Sequence, residues 1–341
     1  MGTAGVSAGG GGVVWNDPDL ANASYDSVSF SVATQQINSR GVTFKSDGTK
    51  LYVVGSNTNI VYAYDLSTAW DITTATYNSE NGSVNSQETN ASDLIFKPDG
   101  TKMYALGSTS DTVYQYSLST AWDVSTLSYD NKSISIASQD ATPTGIIFKS
   151  DGTSFYMCGS ATDNIYQYDM TTAYDISTAS YANKSVSVSS NPLGLFLNPD
   201  DDQIYYCDST SDLVYAYDLT TAGDLSTAVN TNTSFSTGTQ MTACQGINFK
   251  SDGSKAYVID YHSNTIYQYS TITPSWTDPD IANASYDSVS FSVATQEPAP
   301  TGLFFKPDGS KMYVCGTSGS ASKKVNEYDL STAWDPSTAT H

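Results

Sequence analysis

Between Gly145 and Met170 the chain reads G-I-I-F-K-S-D-G-T-S-F-Y-M-C-G-S-A-T-D-N-I-Y-Q-Y-D-M, and its apolar and polar positions divide it into three short strands. The apolar run Gly145–Phe148 leads to Asp151-Gly152, the dipeptide that most readily takes the positive φ angles of a tight hairpin. A second run, Phe155–Cys158, follows. After a polar turn, Ile165–Asp169 interleaves apolar and aromatic residues with polar ones, the period-2 pattern of a strand.

The pattern recurs six times. Its turn reads F-K-S-D-G at Phe44, F-K-P-D-G at Phe96, F-K-S-D-G at Phe148, L-N-P-D-D at Leu197, F-K-S-D-G at Phe249 and F-K-P-D-G at Phe305, spaced 52, 52, 49, 52 and 56 residues apart. A period near 50 matches a four-stranded propeller blade. The first strand is apolar at successive positions, as in Leu94-Ile95-Phe96, so both of its faces should be covered. The third strand repeats V-Y-A-Y-D or I-Y-Q-Y-D, and S-T-A-W-D leads on to a more polar outer strand near residues 25–33, 82–86, 133–137, 185–189, 232–237 and 286–293. The expected fold is all-β: a single six-bladed β-propeller of four-stranded antiparallel blades over residues 15–341, preceded by a Gly-rich tail or attachment arm at 1–14. The first outer strand precedes the first full unit and the last unit lacks one, so the N-terminal strand is expected to complete the last blade. One duplication complicates that closure. The segment from Trp15 nearly repeats the segment from Trp276, so Trp15 and Trp334 would compete for one place at the seam.

Composition narrows the function classes. The formal net charge is −21, from 14 Lys and Arg against 35 Asp and Glu, which excludes tracking along nucleic-acid phosphates. No stretch approaches the roughly 18 apolar residues that would span a bilayer, and the N-terminus lacks the basic and apolar regions of a signal peptide. Three of the four cysteines, Cys158, Cys207 and Cys315, share a repeat position filled elsewhere by Val54, Leu106 and Ile259. They are expected to be buried free thiols on separate blades, too far apart to pair, with Cys244 unpartnered.

The repeat F-K-P-D-G-T-K-M-Y-x-x-G-S-x-x-x-x-V-Y-x-Y-x-L-S-T-A-W-D, seen best from Phe96 to Asp123, resembles YVTN/NHL-like propeller repeats. More narrowly, it is similar to propeller repeats in structural proteins of marine bacteriophages. That resemblance implies a virion or extracellular location, with other subunits of such an assembly and a host-surface receptor or glycan as partners. Cofactors are not expected, nor is nucleic acid or membrane insertion.

Chemistry-bearing residues are few. With only His262 and His341 available, no His-rich metal cluster can be built. Asp200, Asp201 and Asp202 break the Asp-Gly turn and form a weak Ca²⁺ candidate. The repeated Asn-x-Ser/Thr triplets, at Asn131, Asn183 and Asn232 among others, read as by-products of an Asn/Ser-rich repeat. Comparison of repeats places the variable positions on one face, in the loops between second and third strands and between outer and first strands. The candidate binding residues there are Arg40, Asp111, Asp163, Asp212, Tyr261, His262, Lys323 and Lys324, with Met241 and Cys244 on the same loops. The expected function is a non-enzymatic structural and binding module on a phage particle or similar assembly. A fibre subunit joined by N-terminal strand exchange is the alternative, and a propeller hydrolase or lyase is third.

Overall fold

The computed structural model describes residues 15, 17, 18, 20–188, 191–271, 292, 300–305, 310–316, 325–332 and 336–341. The tail at 1–14 and Trp276, Lys323, Lys324 and Trp334 lie outside them. The N-terminal strand is β1 (Ser24–Ser31). Four repeats then follow in chain order. They are β2 (Ser39–Phe44), β3 (Lys50–Gly55), β4 (Ile60–Leu66) and β5 (Ala75–Ser83); β6 (Ala91–Phe96), β7 (Lys102–Gly107), β8 (Thr112–Leu118) and β9 (Leu127–Ser135); β10 (Pro143–Phe148), β11 (Ser154–Gly159), β12 (Asn164–Met170) and β13 (Ala179–Ser187); and β14 (Pro192–Leu197), β15 (Gln203–Asp208), β16 (Leu213–Leu219) and β17 (Ala228–Ser236). The fifth repeat gives β18 (Cys244–Phe249), β19 (Lys255–Asp260) and β20 (Thr265–Ser270). The sixth gives β21 (Pro300–Phe305), β22 (Lys311–Gly316), β23 (Val325–Leu330) and the two-residue β24 (Ala339–Thr340).

The strands form antiparallel four-stranded sheets arranged like blades, one for each repeat, the fifth taking its outer strand from β1. Burial follows the sequence pattern. Every residue of β10 and β11 is buried, whereas β9 and β13 alternate exposed and covered positions as outer strands do. The outer strands carry a bulge with a left-handed residue: Ser27, Ser79, Asn131, Asn183 and Asn232, with φ between 56° and 70°. Asn tolerates that conformation better than most residues, so the repeated asparagines are accounted for by backbone geometry. In the S-T-A-W-D connections, Asp71, Asp123, Asp175 and Asp224 each cap a 3₁₀ turn by accepting an N–H two residues on. Trp70 and Trp122 lie over the Asp-Gly turns; a Cβ at Gly48 would come within 2.3 Å of the Trp70 indole. They are packing anchors.

Six-bladed closure is not observed. The chain divides into two compact units, 1–275 and 276–341. Within the first, the innermost strands touch in a cycle, β2 to β6 to β10 to β14 to β18 and back to β2, so five sheets form a ring. Strand β1 pairs antiparallel with β20, from Ser24 opposite Ser270 to Ser31 opposite Thr265, and completes the fifth sheet rather than the last. Trp15 accompanies it, packing 5.8 Å from Phe196 and 6.1 Å from Phe249 between ring centroids. It fills the anchor place that chain order would give Trp276. The duplicated segment explains the change, because either copy carries the same strand sequence, S-Y-D-S-V-S-F-S. The N-terminal strand therefore closes a ring, as expected of an outer strand, but one repeat earlier and within its own chain. This pairing gives no support to the alternative of a fibre joined by N-terminal strand exchange.

The hydrogen-bonding pattern across sheets repeats as well. The hydroxyls of Tyr52, Tyr104 and Tyr257 each donate at 2.6 Å to the carbonyls of Trp122, Tyr174 and Trp70 in the next sheet, and Tyr156 donates to Gly223 at 2.7 Å. The Tyr257 bond joins the fifth sheet to the first and shows the ring closed on the turn face too.

Candidate functional site

The variable loops meet around the mouth of the five-sheet ring, and most of their polar groups are committed to building it. In three of the sheets a buried carboxylate pins the outer-to-first-strand loop to the neighbouring second-to-third-strand loop, and in the fourth sheet one braces the second-to-third-strand loop alone. Glu88 accepts N–H bonds from Asn90, Thr109 and Ser110, and Asp140 accepts them from Thr142, Ala161 and Thr162. In the fourth and fifth sheets the carboxylate comes instead from the end of the second strand. Asp208 takes Thr210 and Ser211, while Asp260 takes Thr242, Ala243 and Ser263. The two sources exclude each other: Glu88 fills the space beside Gly107 and Asp140 that beside Gly159, where a Cβ would meet them at about 2 Å. In the fifth sheet Met241 stands at the Glu88 position and is buried, as is Cys244. Neither belongs to the accessible face on which the sequence placed them.

Asp111, Asp163 and Asp212, expected to bind, shape turns instead. With Asn59 and Asn264 they hold φ between 47° and 54° at the start of the third strand. Asn59 and Asn264 accept the backbone N–H of Ala91 and Ser39, at 2.9 and 3.0 Å, and Asp163 accepts that of Asn191. At Asp111 the corresponding position is Pro143, which has no N–H, and one carboxylate oxygen of Asp111 is left without a partner. Burial raises the Asp111 carboxyl above its usual value, with Asp140 and Glu88 adding to the effect. The Ca²⁺ candidate is likewise dispersed. Asp201 accepts from the Ser150 N–H and hydroxyl, and Asp202 accepts from the Asn198 amide. Among the described residues no cluster of three His, Cys, Asp or Glu is placed to hold a metal ion.

Arg40, Tyr261 and His262 do come together. Arg40 is the only arginine in the chain and lies on β2 at the mouth. Its guanidinium carbon is 5.4 Å from the centre of the Tyr261 ring, which meets the His262 ring edge-on at 5.3 Å. At the matching place on the other first strands stand Ser92, Thr144, Leu193 and Gln245. Ser92 and Thr144 donate to the carbonyls of Pro143 and Pro192 in the next sheet. Arg40 alone carries charge there. Its Nε is buried and has no hydrogen-bond partner. Burial pulls the guanidinium below its usual value, opposed by the Tyr261 hydroxyl, yet an arginine stays charged. Among the described residues all ten lysines form ion pairs with carboxylates, from Lys45 with Asp47 at 2.7 Å to Lys311 with Glu327 and Asp329 at 2.6 Å, and Arg40 forms none.

Directly beneath the mouth, one residue from each sheet lines the ring axis: Gly41, Asp93, Gly145, Gly194 and Gly246. The glycines allow backbone contact, since a Cβ on Gly194 would lie 2.6 Å from the Gly246 Cα. The axis is thereby closed below the mouth. Asp93 is the exception, fully buried, with its two oxygens accepting the N–H groups of Leu94 at 2.8 Å and Ile146 at 2.9 Å. Burial outweighs those bonds and pushes its carboxyl up to about 7. Sequence reasoning passed over Asp93, although its replacement of a repeated glycine was visible in S-D-L-I-F against T-G-I-I-F.

No family model matches the chain, and no curated protein matches it in sequence. Solved structures do match in fold. A protein of Bacteroides uniformis provisionally named a 6-phosphogluconolactonase aligns over 88% of this chain and 83% of its own, at 14% identity and a TM-score of 0.44. One of Bacteroides fragilis with the same provisional name aligns over 88% and 82%, at 11% identity and a TM-score of 0.42. A functionally unknown protein of Desulfotomaculum acetoxidans aligns over 88% and 78%, at 13% identity and 0.40. The expectation of a non-enzymatic module on a phage particle is corrected here, since two of these three proteins are named for an enzyme and none for a virion component. At these scores the likeness assigns no activity to this chain.

Proposed function

We propose that the protein is a small-ligand-binding propeller whose site is the mouth of the five-sheet ring, and that the ligand carries a carboxylate or phosphate held by Arg40. The observation that carries this reading is the half-buried guanidinium, which has a buried Nε without a hydrogen-bond partner and no carboxylate partner among the described residues, in a chain of net charge −21. A partly desolvated charge without a counter-charge is unfavourable, and such groups are ordinarily paired. In a chain so rich in carboxylates, an arginine that pairs with none among the described residues keeps its charge for another partner. The guanidinium fork suits bidentate binding of a planar or tetrahedral oxyanion. Tyr261 and His262 supply a ring edge and a hydrogen-bonding nitrogen beside it, and the closed axis limits the ligand to the mouth.

Calorimetric titration with inorganic phosphate, a dicarboxylate and a set of sugar phosphates tests this. At least one anion should bind, and Arg40→Gln should weaken it by about 10- to 100-fold, the worth of a charge-assisted pair. Equal affinity in Arg40→Gln, or no binding of any anion, would overturn the proposal. Recovery of a bound ligand chemically altered would make the site catalytic.

A further inference from the structure

The four-to-five sheet boundary differs from its neighbours in one respect that does not concern the mouth. The second-strand position occupied by Val54, Leu106, Cys158, Cys207 and Ile259 faces the start of the next sheet's first strand. At the three-to-four boundary the Cys158 thiol donates to the Leu193 carbonyl at 2.7 Å and lies 3.3 Å from the Thr144 hydroxyl. The residue that opens the first strand is Pro143 in the third sheet, Pro192 in the fourth and Cys244 in the fifth, as the strand registers show. Among the described residues, only at the four-to-five boundary does a cysteine on the second strand face a cysteine on the next first strand. There the Cys207 and Cys244 thiols, both free, are electrostatic neighbours. Both are fully buried in one apolar cluster with Val214, Met241, Ile247 and Val258, and β15 packs directly on β18. Cys158, Cys207 and Cys244 are free thiols, as expected, but Cys244, expected to have no partner, lies against Cys207, because the two occupy different repeat positions that adjacent sheets bring together.

We infer that Cys207 and Cys244 are a disulfide-forming pair, a covalent staple between the fourth and fifth sheets of the ring that a small-molecule disulfide can install. The two thiols and one oxidised glutathione yield one protein disulfide and two glutathione thiols. The sulfur–sulfur bond of the oxidant breaks as that of the protein forms, and both protein S–H protons leave with the released thiols. Burial holds the Cys207 thiol well above its usual value, so the closed ring reacts slowly and exchange proceeds while the two sheets part or the chain refolds. The fifth sheet is also the one completed by β1. A staple there fixes the sheet on which ring closure depends.

Refolding the full chain from denaturant in a glutathione redox buffer, then alkylating under denaturing conditions, tests the assignment. Non-reducing peptide mapping should yield a Cys207–Cys244 cross-link in monomeric protein, leaving two alkylated cysteines, Cys158 and Cys315. Cys158→Ser should retain the cross-link and Cys207→Ser should lose it. The stapled form should need more urea to unfold than the reduced form, through restriction of the unfolded chain. Four alkylated cysteines after oxidative refolding, or cross-links that join other cysteines instead, would overturn the inference. Cys244→Ala that folds normally but still cross-links Cys207 would do so as well.

Discussion

On the turn face of the ring, Tyr52, Tyr104 and Tyr257 make the same 2.6 Å bond to the carbonyl of a Trp or Tyr in the next sheet. At the mouth, the equivalent loop-bracing positions use Gln36, Glu88, Asp140, Asp208 and Asp260, from two different strand positions and with two different charges. The difference is physical. A turn-face joint needs one hydroxyl and one carbonyl, which any repeat can supply at the same place. In the second to fifth sheets a mouth position must gather two or three loop N–H groups of varying spacing, and each repeat meets that need with the acid that reaches, whereas Gln36 of the first sheet donates instead. Where selection for a common joint is relaxed, individual residues such as Arg40 and Asp93 can diverge. The following variants test whether the mouth is divergent by role or only by tolerance.

The largest effect is expected at Asp93. Its carboxyl is raised from an ordinary value of 3.8 to about 7 in the folded ring, by burial first and despite the Ile146 and Leu94 N–H bonds. Between about pH 4 and pH 7 the unfolded chain has released this proton and the folded one has kept it. Stability contributed by the protonated form is thus full below pH 4, falls as pH rises through that window and levels off above about 7. At about 1.4 kcal/mol for each pH unit, the loss reaches at most about 4 kcal/mol. The turn carboxylates Asp47, Asp99 and Asp151 run the other way. They are desolvated in part, but hydrogen bonds from their neighbouring lysine and threonine bring them to about 2, and their contribution is lost only in acid. Urea denaturation from pH 4.5 to 8 should show Asp93→Asn with a flatter profile than the wild type, and parallel profiles would refute the axial titration. The Cys158 thiol shares this pocket electrostatically, so the comparison is best made in the reduced protein.

A smaller effect is expected at the mouth joints. Glu88→Ala strands the N–H groups of Asn90, Thr109 and Ser110 and should cost about 2–3 kcal/mol. Glu88→Gln should cost less than half of that, because its amide oxygen can still accept part of these N–H groups, and Gln36 shows that the amide fits this place, although there it donates to the Gly55 carbonyl and the Thr58 hydroxyl. Thermal unfolding of the two variants separates charge from shape. Equal losses would mean that the carboxylate charge, rather than its position, holds the joint.

The blade-like sheets were legible in the sequence because they rest on local signals. The Asp-Gly turns, the apolar first strands and the alternating outer strands are each written within a few residues, and six copies average out the noise. The closure was not legible. Two nearly identical segments, from Trp15 and from Trp276, satisfy β20 equally by pattern, and only the folded ring shows which one is seated. The candidate site was half legible: Arg40, Tyr261 and His262 stood out as departures from the repeat. Asp111, Asp163 and Asp212 misled because a left-handed turn and a ligand-binding loop favour the same short polar residues. The reciprocal exchange of Glu88 with Gly107 and of Met241 with Asp260 was present in the chain. It required knowledge that these two positions touch.

The smallest effect, and the sharpest comparison, lies on the turn face. Each of Tyr52→Phe, Tyr104→Phe and Tyr257→Phe removes one hydroxyl and leaves one carbonyl without its donor, while the buried ring keeps its packing. Each should cost about 1 kcal/mol. The three sites are in separate sheets and share no partner, so their costs should add. Tyr205 is the internal control. Its hydroxyl turns to Gln203 on the same strand instead of reaching the next sheet, because the connection that would accept it is replaced by the segment bearing Trp15. Tyr205→Phe should therefore cost less than the other three and leave the fourth and fifth sheets as firmly joined as before. A Tyr205→Phe loss equal to that of Tyr104→Phe would mean that the hydroxyl stabilises the strand it sits on, and that the turn face owes its regularity to packing of the rings rather than to the inter-sheet bonds.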